Sequence, residues 1–167
     1  TPAGTYSFTY QLCERANPTN CATATISVTV AAAPIAADPD SVSGINGASG
    51  AANVLNVLDG DTLNGAPASP TTVDVSVVTP ATPINGGPVP TLDPATGQIS
   101  VPPGTPAGSY SITYQICDKL NPTNCATNSA TVQVAPSPLV ANNDSVSGAN
   151  GATGGTTRIS SATVALS

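Results

Sequence analysis

The sequence has no histidine, no tryptophan and no methionine, and it carries one phenylalanine, Phe8, and one glutamate, Glu14. Without histidine there can be no histidine-based catalytic triad and no histidine-ligated metal. Charge is scarce too. Only 7% of residues are charged, with three basic side chains (Arg15, Lys119, Arg158) against nine acidic ones and a net charge of −6. Nucleic-acid binding needs a basic footprint that displaces counterions, and none exists here. The chain also lacks a polybasic stretch for anionic lipid. No apolar run approaches the ~20 residues of a membrane-spanning helix. Seventeen prolines and fifteen glycines interrupt the chain too often for helices of ordinary length.

What is plentiful points to strands. Valine and threonine favour extended backbone, while serine, asparagine, proline and glycine build turns. Hydrophobic content is 40%, and the apolar residues alternate, so an ordered all-β protein fits better than a disordered one. In residues 5–12, Tyr6, Phe8, Tyr10 and Leu12 share one face, and Thr5, Ser7, Thr9 and Gln11 share the other. This predicts a half-buried antiparallel strand. Ala24, Ile26, Val28 and Val30 continue the pattern in the next strand. Residues 54–58, 73–78 and 98–101 are further strand candidates, with a turn at Asp59-Gly60 and a Pro-Pro-Gly turn at 102–104. Residues 79–97, rich in proline and glycine, are expected to be irregular or edge structure.

The sequence repeats itself. TPAGTYSFTYQLCERANPTNCAT begins at Thr1 and TPAGSYSITYQICDKLNPTNCAT at Thr105, a period of 104 residues. DSVSGINGASG from Asp40 likewise matches DSVSGANGATG from Asp144, after which the last residues diverge. A period near 100 residues suits one β-sandwich. The Ala/Pro-rich stretches near residues 31–34 and 135–138 read as linkers. The expected organisation is therefore three parts. Residues 1–32 are the closing strands of a preceding module, 35–136 a complete module, and 137–167 the opening of a following one. With Thr1 in place of an initiator methionine and no signal peptide, a processed chain or a slice of a longer one is expected.

Four cysteines fall in two equal spacings, Cys13/Cys21 and Cys117/Cys125. A zinc site would use closer pairs and usually histidine. Both thiols of each pair fall on the outer face of one hairpin, which predicts a cross-strand disulfide and an oxidising, extracytoplasmic setting. The alternative, a redox pair, lacks Cys-x-x-Cys spacing.

The stretch LDPATGQISVPPGTPAGSYSITYQIC, residues 92–117, resembles the tandem Ig-like repeats of large bacterial surface proteins. AADPDSVSG from Ala36 and NVLNVLDGDTLNG from Asn53 are similar to the opening of cadherin-like and CshA-type fibril repeats, with a partial match at Asn56 to Asp61. The resemblance implies tandem Ig-like antiparallel β-sandwich modules in a secreted or surface-anchored adhesin.

Asp38, Asp40, Asp59 and Asp61 are candidate calcium ligands at a module junction, because calcium takes several hard oxygen donors. The plainer reading is that these aspartates cap turns; the counterpart of Asp38 in the second copy is Asn142. Calcium is thus the one cofactor considered. Ser41, Thr62 and Ser145 each sit in an Asp-Ser/Thr-aliphatic pattern resembling a bacterial O-glycosylation acceptor, and Asn143 opens a formal N-glycosylation sequon. Lys119 is the sole lysine and falls in the hairpin loop, which argues against an intramolecular isopeptide bond. With turn aspartates and no histidine or Cys-His pair, no enzyme activity is expected.

The expected function is a disulfide-clamped stalk in an extracellular surface fibre, whose partners are neighbouring copies of the module and no nucleic acid. Two alternatives stand beside it. One is a module binding surface glycans or cell-surface proteins through loops such as 79–97. The other is a self-polymerising filament subunit completed by strand exchange between chains.

Overall fold

The structure is a computed structural model that describes residues 1–143 of the 167. Among the described residues there is no helix. Twelve strands follow in order: β1 (Gly4–Cys13), β2 (Cys21–Val30), β3 (Ile35–Ala36), β4 (Asp40–Asn46), β5 (Ala51–Asn56), β6 (Thr62–Leu63), β7 (Ala66–Pro67), β8 (Val73–Thr79), β9 (Thr91–Asp93), β10 (Gln98–Val101), β11 (Gly108–Asp118) and β12 (Cys125–Ala135). The all-β expectation holds, and residues 98–101 form a strand with the predicted bounds. The irregular stretch 79–97 hides one short edge strand, β9, which pairs with β10.

The strands form four sheets, ordered β1-β2, β5-β10-β9, β4-β12-β11-β8 and β3-β6-β7. The ladders are antiparallel with one exception: β4 runs parallel to β12, with Ala130 opposite Asp40 and Val132 opposite Val42. A parallel pair needs a long connection. Here every strand from β5 to β11 lies between the two partners.

One core joins the three-stranded sheet with β9 and β10 to the four-stranded sheet. It contains Val57, Leu92, Ile99 and Val101 on one side and Tyr110, Ile112, Tyr114, Ile116, Ala130, Val132 and Val134 on the other. The alternation of β11 and β12 sends every second side chain inward, which is why a sandwich-like packing forms. Between β9 and β10 the turn is set by Asp93. Its carboxylate accepts from Ala95 N at 3.0 Å and Thr96 Oγ1 at 2.8 Å. Gly97 closes the turn with φ of 75°, a left-handed conformation that glycine adopts without strain.

The hairpin β1-β2 is a copy of β11-β12 in register as well as in sequence. Gly4 faces Val30 and Cys13 faces Cys21; Gly108 faces Val134 and Cys117 faces Cys125. The two hairpins differ in burial. Phe8 is 56% exposed while its counterpart Ile112 is 1% exposed. The half-burial expected for residues 5–12 is therefore not met. The alternation is there, but no second sheet among the described residues covers that face, and β1-β2 gives no residue to the core.

Candidate functional site

Three features of the fold bear on function, and the first is the pair of disulfides. Cys13–Cys21 and Cys117–Cys125 are bonded, with Cα atoms 4.1 Å apart in each pair. That separation belongs to directly opposite, non-hydrogen-bonded residues of an antiparallel ladder, the closest approach two strands make. Each bond clamps the tip of a hairpin. The loop beyond it is a repeated tight turn: Asp118 N donates to Asn124 O, Asn121 N to Asp118 O and Asn124 N to Asn121 O, at 3.0, 3.0 and 2.8 Å.

The second feature is a buried polar knot. Tyr114, from β11, is fully buried, and its hydroxyl donates to the Asp38 carbonyl at 2.8 Å and to Asp40 Oδ2 at 3.1 Å. Both carboxylate oxygens of Asp61 lie 3.4 Å from the same hydroxyl, and Asp61 Oδ1 accepts from Asp38 N at 2.7 Å. Asp61 is 1% exposed. Burial raises its pKa to about 6, and the negative charge of Asp40 pushes the same way, against the hydrogen bonds that favour the carboxylate. Burial raises Asp40 as well. The Tyr114 phenol is held far above its ordinary value by burial and then by the two neighbouring carboxylates. The knot ties the approach to β4 and the turn before β6 to the middle of β11, three segments far apart in sequence.

The structure thus brings Asp38, Asp40 and Asp61 to one tyrosine, and Asp59 is near enough to act electrostatically on Asp40. Among the described residues, no three carboxylates, cysteines or histidines converge in a way that could hold a metal ion. Ser41 is exposed on β4, and Thr62 is half-buried on β6, where its backbone pairs with Ala36 and Pro67. Asn143 is exposed, and Ser145 lies outside the described residues. Lys119 forms an exposed ion pair with Asp74 at 3.5 Å.

The third feature is a joint between the two hairpins. The loop at the tip of β11-β12 sits against the base of β1-β2. Ala3 N donates to Asn121 Oδ1, and Asn124 Nδ2 donates to the Ala33 carbonyl at 2.7 Å. Leu120, Asn121, Pro122 and Asn124 line the seam with Pro2, Ala3 and Ala32. A little further on, Asn128 Nδ2 donates to the Ala37 carbonyl at 2.6 Å. These asparagines hold backbone rather than ligand, and they fix where the stretch 31–37 leaves one hairpin and enters the sandwich. The sequence reading passed over Asn121, Asn124 and Tyr114. For the two asparagines the signal was there in the Asn-Pro-Thr-Asn run, identical in the two copies; Tyr114 lies outside that run.

Compared with known proteins, the chain matches no family model and no curated protein.

Proposed function

We propose that this chain is a structural repeat of an extracellular bacterial surface fibre, built from Ig-like β-sandwich units with a 104-residue period and working as a disulfide-clamped stalk. One observation carries the reading. The hairpin β1-β2 has the register and disulfide of the hairpin that closes the sandwich, yet among the described residues its apolar face lies open. A face patterned for burial and left uncovered fits a unit whose complement lies in a neighbouring unit. The disulfides favour an oxidising compartment, and the low charge with a Thr/Ser/Asn surface suits one. The mechanism is mechanical. Strands of ten and eleven residues carry load along their length, a covalent clamp closes each hairpin tip, and asparagine side chains lock the joint.

Small-angle scattering on chains of one, two and four 104-residue units tests this. The maximum dimension should grow in equal steps of roughly 4 nm, the length of one long strand. Compact particles whose size rises with the cube root of mass would overturn it.

A further inference from the structure

Among the described residues the loop-to-base joint is made once, and each half of it occurs a second time with no partner. The base of β1-β2, with Pro2, Ala3 and Ala33, has its counterpart one period on at Pro106, Ala107 and Ser137. These residues line an open cleft of ≈ 510 Å³ together with Thr105, Pro136 and Leu139. Among the described residues nothing fills it, and Leu139 is 79% exposed.

The tip loop has its counterpart at residues 14–20. Its backbone turn repeats that of 118–124: Glu14 N donates to Asn20 O, Asn17 N to Glu14 O and Asn20 N to Asn17 O, at 2.9, 3.2 and 2.9 Å. Asn17 Nδ2 donates to Glu14 Oε1 at 2.8 Å, as Asn121 Nδ2 donates to Asp118 Oδ2 at 2.8 Å. In the occupied joint this bond leaves Asn121 Oδ1 to accept from Ala3 N. In the second loop it leaves Asn17 Oδ1 with no donor among the described residues. Asn20 Nδ2 donates one hydrogen to Glu14 Oε2 at 3.0 Å and keeps the second for a carbonyl, so the free loop is shaped for a base, and the free base for a loop. One difference is that Ala16 stands where the occupied joint has Leu120, so the free loop brings a smaller apolar seat.

We propose that the cleft at Ala107 and Ser137 is a docking surface for the 14–20 loop of a second copy of this chain. Ala107 N–H donates to Asn17 Oδ1 of the second copy, and its Asn20 Nδ2 donates to the Ser137 carbonyl. The two hairpins already stack tip to base, so the free loop and the free base lie at opposite ends of the stack. Contact between two different patches does not close on itself and gives an open filament. The proposal rests on the fibre reading and names its joint.

Two hydrogen bonds and a small apolar seat make a weak contact, so sedimentation velocity should run from about 10 μM to about 5 mM. The full chain should associate at the upper end into species that grow more elongated with size. The double variant Asn17→Ala/Asn20→Ala should weaken association about tenfold or more. Ala107→Arg, which fills the cleft from an exposed position, should do the same. Neither should alter melting, because neither touches the core. A mixture of the two variants should form dimers and stop there, since one still offers a loop and the other a base. A chain monomeric throughout the range, or variants associating like the parent, would overturn the proposal. If tandem units still lengthened in equal steps, that failure would leave the fibre reading standing.

Discussion

Two tyrosines at equivalent positions face opposite fates, and the contrast isolates the worth of one hydroxyl. Tyr114 is fully buried and donates into Asp38, Asp40 and Asp61; Tyr10, one period earlier, is 39% exposed. Removing the buried hydroxyl strands acceptors that burial cuts off from water, while the exposed one exchanges its bond with solvent. Tyr114→Phe should therefore lower stability by about 1–3 kcal/mol, and Tyr10→Phe should leave it unchanged, as urea denaturation would read. Asp61 sets a pH dependence in the same knot. Its folded-state pKa of about 6 lies above the ordinary value of 3.8. The folded chain therefore holds a proton there that the unfolded chain has released, and this stabilisation is full below about pH 4 and lost as pH rises through 6. Asp93 and Asp118 act the other way. Hydrogen bonds lower both, so their stabilisation is lost as pH falls. Melting temperature should peak near pH 4–5 and fall toward pH 7.5. In Asp61→Asn the fall should shrink, and an unchanged profile in that variant would rule out Asp61 as its source.

At the scale of the element, the hairpin is the unit that repeats, and its clamp can be tested twice in one chain. Closing the loop from Cys117 to Cys125, separated by eight positions, stabilises by about 2–3 kcal/mol in the chain-entropy model. Cys117→Ser/Cys125→Ser should lower the main melting transition accordingly. Cys13→Ser/Cys21→Ser should leave that transition in place, because β1-β2 supplies none of the core. Calorimetry on both pairs checks the difference. A second element-level constraint is the turn after β4. A β-carbon on Gly47 would run into the Thr105 carbonyl oxygen and the Val134 side chain. Gly47→Ala should cost about 1–3 kcal/mol through overpacking, measured by the same melt.

For the whole molecule, the apolar face of β1-β2 stands exposed among the described residues. Phe8 and Leu12 are 56% and 66% exposed, and such patches drive association or binding of apolar dyes. Phe8→Thr/Leu12→Thr should lower fluorescence of a bound apolar dye without moving the melting temperature. A loss of stability in that variant would mean that the face is covered in solution after all. Much of this architecture was legible beforehand. The all-β character, the alternation in 5–12, the pairing of the cysteines and the strand at 98–101 all follow from local rules of period and turn chemistry. The parallel placement of β4 against β12 was not legible, because no turn or spacing within either strand encodes a partner so far away. The knot on Tyr114 was half legible. The aspartates stood out as a group, but a tyrosine in an apolar alternation reads as core and hides its hydroxyl.

Taken alone, the sequence determined that the chain is all β and where its disulfides close, because strand period, turn residues and loop closure act over a few residues. Only the tertiary structure decided that, among the described residues, one copy of the hairpin is buried and the other exposed, that two carboxylates and a backbone carbonyl meet one phenol, and that an asparagine loop grips the backbone at the base of the preceding hairpin. Those outcomes depend on which surfaces lie near one another in space, and burial, not residue type, then sets what each side chain does.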